Sequence, residues 1–368
     1  MTKMKFRYEK DYFSSFDEKT GQYVRVGVDS QGNVSDRDPF MTSFPELLDV
    51  GIMGHCRHGR SGLCLAAGIG CYQDGFHSQK ANMTPEDFAA IVEQCRGKTF
   101  QMALGGCGDP DQHRHFEEIL KICQSNEIVP NFTTSGFGMT KQTASLCQKY
   151  CGAVAVSWYR SDYTLEALKT LLSYGVKTNI HYVLSNSTLE EAFQRLKNDS
   201  GNRCGGFPEG INAVVFLLHK PIGLGKREDM ITADNREFRQ LLRYIDRNDF
   251  PYKIGFDSCT VPALLALEGL DTESVDTCEA ARWSAYISPD MKIMPCSFDN
   301  QSERWAVDLR TTSIAQAWKS DKFNDFRKNL RYSCPKCDLR ELCMGGCPIV
   351  PEIVVCQRKE RMLYENKN

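Results

Sequence analysis

Seventeen cysteines stand in this 368-residue chain, and their placement constrains the fold more than any other feature. Nine are spread over residues 1–258, while eight crowd between Cys259 and Cys356. An odd count pairs badly, and the density is below that of small secreted disulfide scaffolds. The opening residues, MTKMKFRYEK, alternate charge and lack the apolar stretch of a signal peptide. The expectation is a cytoplasmic, reducing setting, where clustered thiols bind metal more often than each other. A net charge of -2 supplies no basic field for nucleic acid. The longest apolar runs, such as Val214–Leu218, fall far short of the ~20 residues of a membrane span.

The length suggests about two domains at roughly 150 residues each. Residues 1–45 are polar, with turn material at Glu18–Gly21 and Ser30–Asn33, and read as an N-terminal hairpin extension. Beyond Pro45, short apolar runs alternate with amphipathic segments. Strands are expected at Leu47–Ile52, Thr99–Leu104, Val129–Thr133, Ala153–Trp158, Lys177–Leu184 and Asn212–Leu218. Helical patterns lie between them, for example Pro85–Cys95 after Thr84 and Phe116–Glu127. Such alternation predicts an α/β fold, a partial (β/α)6 TIM-like barrel over residues 46–258. The cysteine-rich remainder, 259–368, reads as a small appended domain.

Chemistry belongs at the C-terminal ends of such strands. The first strand runs into Gly54-His55-Cys56, the second into Gly105-Gly106-Cys107-Gly108-Asp109-Pro110, and the third into Thr134-Ser135-Gly136. Cys56, Cys64 and Cys71 follow with the spacing C-x7-C-x6-C on a glycine-containing loop. Three thiolates so placed suit a four-iron cluster with one iron left open. His55 and His58 are read as bystanders on an exposed loop.

A thiolate triad after strand one and a Gly108-Asp109-Pro110 turn after strand two resemble the radical S-adenosylmethionine (SAM) superfamily. There the triad is usually C-x3-C-x2-C and the turn Gly-Glu-Pro, so both gaps are longer here, and Tyr72 follows the last cysteine rather than preceding it. The resemblance implies that Cys56, Cys64 and Cys71 hold a [4Fe-4S] cluster whose open iron binds SAM. It also implies that Gly108 and Asp109 meet the methionine amino group, and that Ser135, Ser157 and Asn179 lie along the rest of the cofactor.

Near the C-terminus, Cys334, Cys337, Cys343, Cys347 and Cys356 follow C-x2-C-x5-C-x3-C-x8-C, with Cys278 and Cys296 upstream. This is similar to the SPASM module, which binds auxiliary iron–sulfur clusters. A zinc ribbon could use C-x2-C-x5-C-x3-C alone, but it leaves Cys278, Cys296 and Cys356 without a role. The resemblance implies two auxiliary [4Fe-4S] clusters: an outer one on Cys334, Cys337, Cys343 and Cys356, and an inner one on Cys278, Cys296 and Cys347. Cys259 is the candidate fourth inner ligand. Cys95, Cys123, Cys147 and Cys151 are read as small core residues.

The function implied is reductive cleavage of SAM to a 5′-deoxyadenosyl radical that abstracts hydrogen from a peptide or protein substrate. Its context would be crosslinking of a ribosomally made peptide, with electrons from a donor such as a flavodoxin or ferredoxin. Two alternatives remain open at this point. One is different radical SAM chemistry, such as formylglycine formation in a sulfatase or a small-molecule reaction. The other is a non-enzymatic iron–sulfur or electron-transfer protein.

Overall fold

Residues 47–53 read Leu-Leu-Asp-Val-Gly-Ile-Met, and this alternation decides how the strand sits. Leu48, Val50 and Ile52 are fully buried, while Leu47 and Asp49 are half-buried on the opposite face. Residues 178–184 repeat the division, with Ile180, Tyr182 and Leu184 buried and Asn179 and His181 half-buried. One face of the sheet therefore packs against helices, and the other forms an inner wall with polar positions. The computed structural model describes residues 4–35, 39–267, 269–272, 275–330, 336–353 and 355–356. Cys334 and the tail beyond Cys356 lie outside the described residues.

The N-terminal segment forms a four-stranded antiparallel sheet where a hairpin was expected: β1 (Met4–Tyr8), β2 (Tyr12–Asp17), β3 (Tyr23–Val28) and β4 (Val34–Ser35). Its later turns close at Asp17–Gln22 and Asp29–Asn33, where the turn residues stand. The sheet is anchored at the start of the main sheet: Tyr12 and Ser14 donate to Glu46 at 2.9 and 2.8 Å, and Arg7 donates to the Phe44 carbonyl at 2.7 Å.

The main sheet has ten strands. Seven run parallel and in sequence: β5 (Leu47–Met53), β6 (Gln101–Gly106), β7 (Val129–Thr134), β8 (Val154–Ser157), β9 (Thr178–Leu184), β10 (Ala213–Leu218) and β11 (Lys253–Phe256). β12 (Ser284–Ile287) lies parallel on the other side of β5, followed by antiparallel β13 (Lys292–Met294) and β14 (Val307–Asp308). The fold is thus a partial TIM-like barrel, with one more sequential strand than the six expected. The cysteine-rich segment supplies a further parallel strand to the same sheet.

Helices follow from caps and stripes that the sequence states directly. Thr84 accepts the Asp87 amide at 3.1 Å, Pro85 opens the first turn, and Phe88, Ile91, Val92 and Cys95 form the buried face of Pro85–Cys95. Each such buried aliphatic or aromatic side chain contributes about 1.5–3 kcal/mol. Cys95, Cys123 and Cys147 are core residues, fully buried. In the C-terminal segment, Ile314–Trp318 and Asp321–Asn329 bury Trp318, Phe323 and Phe326, and the Trp318 indole donates to the Thr42 carbonyl at 2.8 Å. Among the described residues, no helix is long and apolar enough to cross a membrane.

Candidate functional site

At the end of β5 the chain turns through Gly54, where a Cβ would lie 2.1 Å from the Ala81 carbonyl oxygen. It then reaches Cys56, whose sulfur accepts the Gly59 amide at 3.0 Å and so caps the short helix Arg57–Arg60. Cys64 is buried in the next turn of helix, and the Cys71 sulfur accepts the Gly75 amide at 3.5 Å. A Cβ on Gly75 would sit 2.9 Å from both the Cys56 Cβ and the Cys107 carbonyl oxygen. Backbone amides aimed at sulfur favour the thiolate. Burial, reinforced by Asp109 and Cys71, nevertheless pushes the Cys56 thiol up to about 12. Cys64 is raised by burial and then by Cys71. The cost of burying the Cys56 and Cys64 thiols is one that a bound metal would relieve.

The loop after β6 reaches the same place. Gly108 passes so close that a Cβ would lie 2.5 Å from the His55 carbonyl oxygen. Asp109 is buried; one carboxylate oxygen accepts the Ser135 amide at 2.7 Å and the other the Ser135 hydroxyl at 2.6 Å. Burial raises its pKa against those bonds. Ser157 ends β8, two residues before Tyr159, which itself lies within electrostatic reach of Cys71, Asp109 and Cys56. Gly108, Asp109, Ser135 and Ser157 therefore stand at the C-terminal ends of β6, β7 and β8 beside the triad.

Asn179 does not join them. It is the second residue of β9, near the opposite end of the barrel, and its side-chain oxygen accepts the Asn212 amide at 2.7 Å. Parallel strand polarity, already legible in the Lys177–Leu184 run, is the signal that separates it from the site. His58 is also not on an exposed face. It is 3% exposed, its ring stacks on Tyr159 at 5.5 Å, and its Nε2 lies 2.8 Å from the Tyr163 hydroxyl. Burial lowers its pKa. Asp111 was not singled out in the sequence. Burial and then Asp109 raise its pKa to about 7, and one of its oxygens has no partner.

A cavity of about 500 Å³ opens on the inner side of the barrel wall, and Cys259, Cys278, Cys296, Cys343 and Cys347 line it. Cys259 and Cys296 each lie within electrostatic reach of both Cys278 and Cys347. Burial pushes the Cys278 thiol up to about 11. Cys337 and Cys356 are described but do not line the cavity. Lys220, just beyond β10, is buried against the same wall and forms an ion pair with Asp257, which also accepts the Thr260 hydroxyl at 2.7 Å. Asp49, in the middle of β5, lines the cavity, and burial pushes its carboxyl up to about 6. Among the described residues, no three His, Cys, Asp or Glu side chains converge on a point fit for a single metal ion. The two thiol groups are joined mechanically: the Tyr72 ring packs on Phe298 at 4.7 Å, and Asn300 donates to Gln73 at 2.9 Å.

Residues 278–338 match SPASM, an iron–sulfur cluster-binding domain. Streptococcus suis SuiB bound to precursor peptide SuiA aligns with 96% of this chain and 98% of its own, at a TM-score of 0.71 and 15% identity. SuiB bound to S-adenosylmethionine aligns over the same shares at 0.70 and 15%. Native anSMEcpe with bound AdoMet and Cp18Cys peptide aligns with 87% of this chain and 96% of its own, at 0.58 and 14%. No curated protein matches the chain. At these identities the likeness establishes the fold. The chain shares the fold of these structures, and residues 278–338 carry the iron–sulfur cluster-binding match that its C-terminal cysteine motif led us to expect.

Proposed function

We propose that this chain is a radical SAM enzyme that matures a ribosomally made peptide by crosslinking. Residues 46–258 would form the radical-generating barrel, 259–368 the auxiliary cluster domain, and 1–45 an N-terminal extension. The reading rests above all on one observation. The Cys56–Cys71 loop and the Asp109–Ser135 pair meet at the C-terminal ends of the strands, and Tyr72 beside Cys71 packs on Phe298 in the wall of a cavity lined by cysteines.

Cys56, Cys64 and Cys71 would hold a [4Fe-4S] cluster with one open iron, and the Gly59 and Gly75 amides would favour their thiolates. When bound, the cluster supplies the electron that cleaves SAM and yields the radical that abstracts substrate hydrogen. Asp109 has about four acceptor positions, of which Ser135 takes two and the Gln112 side-chain amide a third, at 3.4 Å. The remainder would receive the methionine ammonium of SAM, with Gly108 allowing the close approach and Ser157 lying further along the rim. Cys259, Cys278, Cys296 and Cys347 would hold the inner auxiliary cluster, and Cys334, Cys337, Cys343 and Cys356 the outer one. A flavodoxin- or ferredoxin-like donor would supply electrons. The solved complex of SuiB with its precursor peptide supports a peptide substrate.

The test is 5′-deoxyadenosine release from SAM by the iron–sulfur-loaded, dithionite-reduced protein, quantified by mass spectrometry under anaerobic conditions. Release in the wild type that disappears in Cys64→Ala is the expected result. Release unchanged in Cys64→Ala, or none from a fully loaded wild type, would overturn the reading.

A further inference from the structure

Among the described residues, Lys220 is the only lysine or arginine that lines the cysteine cavity. It is 7% exposed, and burying an ammonium is costly unless its charge and its donors are met. Asp257 meets the charge. Its carboxylate pairs with the ammonium and also accepts the Leu218 amide at 3.1 Å and the Thr260 hydroxyl at 2.7 Å. The donors are not all met. An ammonium has three, and among the described residues Lys220 spends one, on Asp257. The Phe298 ring lies against the same nitrogen, 4.9 Å from ring centre to Nζ.

The backbone fixes where this charge stands. Lys220 is two residues past the end of β10, where the His219 amide donates to the Leu184 carbonyl at 2.8 Å and the Ile222 amide to the Lys220 carbonyl at 2.9 Å. The same loop reaches the triad, since the Leu224 amide donates to the Cys71 carbonyl at 2.9 Å. The partners of the ammonium place it among the C-terminal thiols. Asp257 stands two residues before Cys259, Phe298 stands two residues after Cys296, and all four line the cavity. Lys220 lies within electrostatic reach of Cys259, Cys296 and Cys347. At Cys259 its pull exceeds the opposing push of Asp257, so the positive end of the pair is the end that this thiol feels.

We propose that Lys220, held by Asp257 and Phe298, sets the reduction potential of the inner auxiliary cluster as a fixed cation beside its thiolates. A positive charge there favours the more negative, one-electron-reduced state and so raises the potential. It also lowers the cost of gathering several thiolates in a buried space, and its unspent donors suit thiolate sulfur as acceptor. Cys259, Cys278, Cys296 and Cys347 would then fix where the cluster sits, while the barrel, through the loop after β10, sets its affinity for an electron. The inference rests on the proposed function for the presence of that cluster.

The test is an EPR-monitored redox titration of the iron–sulfur-loaded full chain under anaerobic conditions. SAM perturbs the triad signal and so identifies it, which leaves the auxiliary signals. Lys220→Met keeps an apolar stem and removes the charge, so it should lower the midpoint of one auxiliary signal and leave the other in place. A charge about 10 Å from a redox centre, at an effective dielectric constant of about 20, alters a one-electron equilibrium about tenfold, or about 59 mV. Lys220→Arg keeps the charge and should hold the midpoint near the wild-type value. Asp257→Asn removes the opposing charge and should raise the same midpoint. Opposite signs separate an electrostatic role from a structural one, because damage to the packing has no reason to invert between the two variants. Midpoints that stay put at wild-type iron content, or that move in the same direction in Lys220→Met and Asp257→Asn, overturn the inference. If Lys220→Met holds no inner iron, the sign of the shift in Asp257→Asn decides. A wild type that binds iron at the triad alone shows a single signal, and overturns the auxiliary clusters together with this role for Lys220.

Discussion

The two thiol groups are built by opposite means. Cys56, Cys64 and Cys71 lie on one continuous loop, and two of their sulfurs are gripped by amides of that loop, from Gly59 and Gly75. Cys259, Cys278, Cys296 and Cys347 come from four separate segments and meet across a cavity. Their meeting depends on β11 at one edge of the parallel sheet and β12 beside β5. The first group is set by local backbone geometry, and the second by the closure of the whole sheet. Damage to the loop should therefore remove one site, whereas damage to the frame should remove everything.

The largest effect is expected from the frame. Trp318 is fully buried, donates to the Thr42 carbonyl at 2.8 Å, and lies beneath Arg327 at 4.8 Å. It ties the C-terminal helices to the segment that leads into β5. Trp318→Ala should cost about 3–5 kcal/mol through the cavity left behind. Guanidinium unfolding should show a lower midpoint, and iron should fall at both thiol groups together. A variant that loses iron from the C-terminal group alone would show that the segment folds apart from the barrel, and would break the comparison.

The loop counterpart is Gly59→Ala. A Cβ there would lie 2.3 Å from the Gly75 carbonyl oxygen, which is backbone and cannot swing away. Overpacking of this kind costs about 1–3 kcal/mol, confined here to residues 56–76. On the proposed reading, the expected outcome is loss of the iron that the triad would hold while iron at the C-terminal thiols stays, read by iron analysis and by the loss of a SAM-perturbed EPR signal. Equal loss of both would mean that the Tyr72–Phe298 and Gln73–Asn300 contacts couple the groups more tightly than their construction implies.

The same division governs what the sequence reveals. Thr84-Pro85 and the Phe88, Ile91, Val92, Cys95 stripe define their helix to the residue, because cap and stripe are local. The six barrel strands are legible for the same reason. β12 beside β5 is not, since nothing in Ser284–Ile287 states which edge it will join. Polar residues on inner faces are ambiguous as well. Asn179 and Ser157 look alike as pattern, yet one begins its strand and the other ends it, and only the second meets the site. His58 reads as a loop residue but is buried by Tyr159 and Tyr163, which arrive from a distant segment.

The smallest effect sharpens the comparison at the junction of two loops. The Ser135 hydroxyl and amide both donate to Asp109, at 2.6 and 2.7 Å, and the hydroxyl accepts the Phe137 amide at 3.1 Å, so a serine-to-alanine change removes two bonds and leaves the amide bond to Asp109. A hydrogen bond to a buried carboxylate contributes about 1.5–3 kcal/mol, but the surviving amide and the freed lone pair soften the loss. Ser135→Ala should therefore keep its iron, lower its unfolding midpoint slightly and weaken SAM binding by about threefold to tenfold in an anaerobic binding titration. Asp109→Asn, by contrast, should weaken SAM binding far more if, as proposed, its charge receives the ammonium. If Ser135→Ala lost iron as well, the β7 loop would belong to the construction of the triad. The first group would then be a site distributed over three strands, closer in kind to the second.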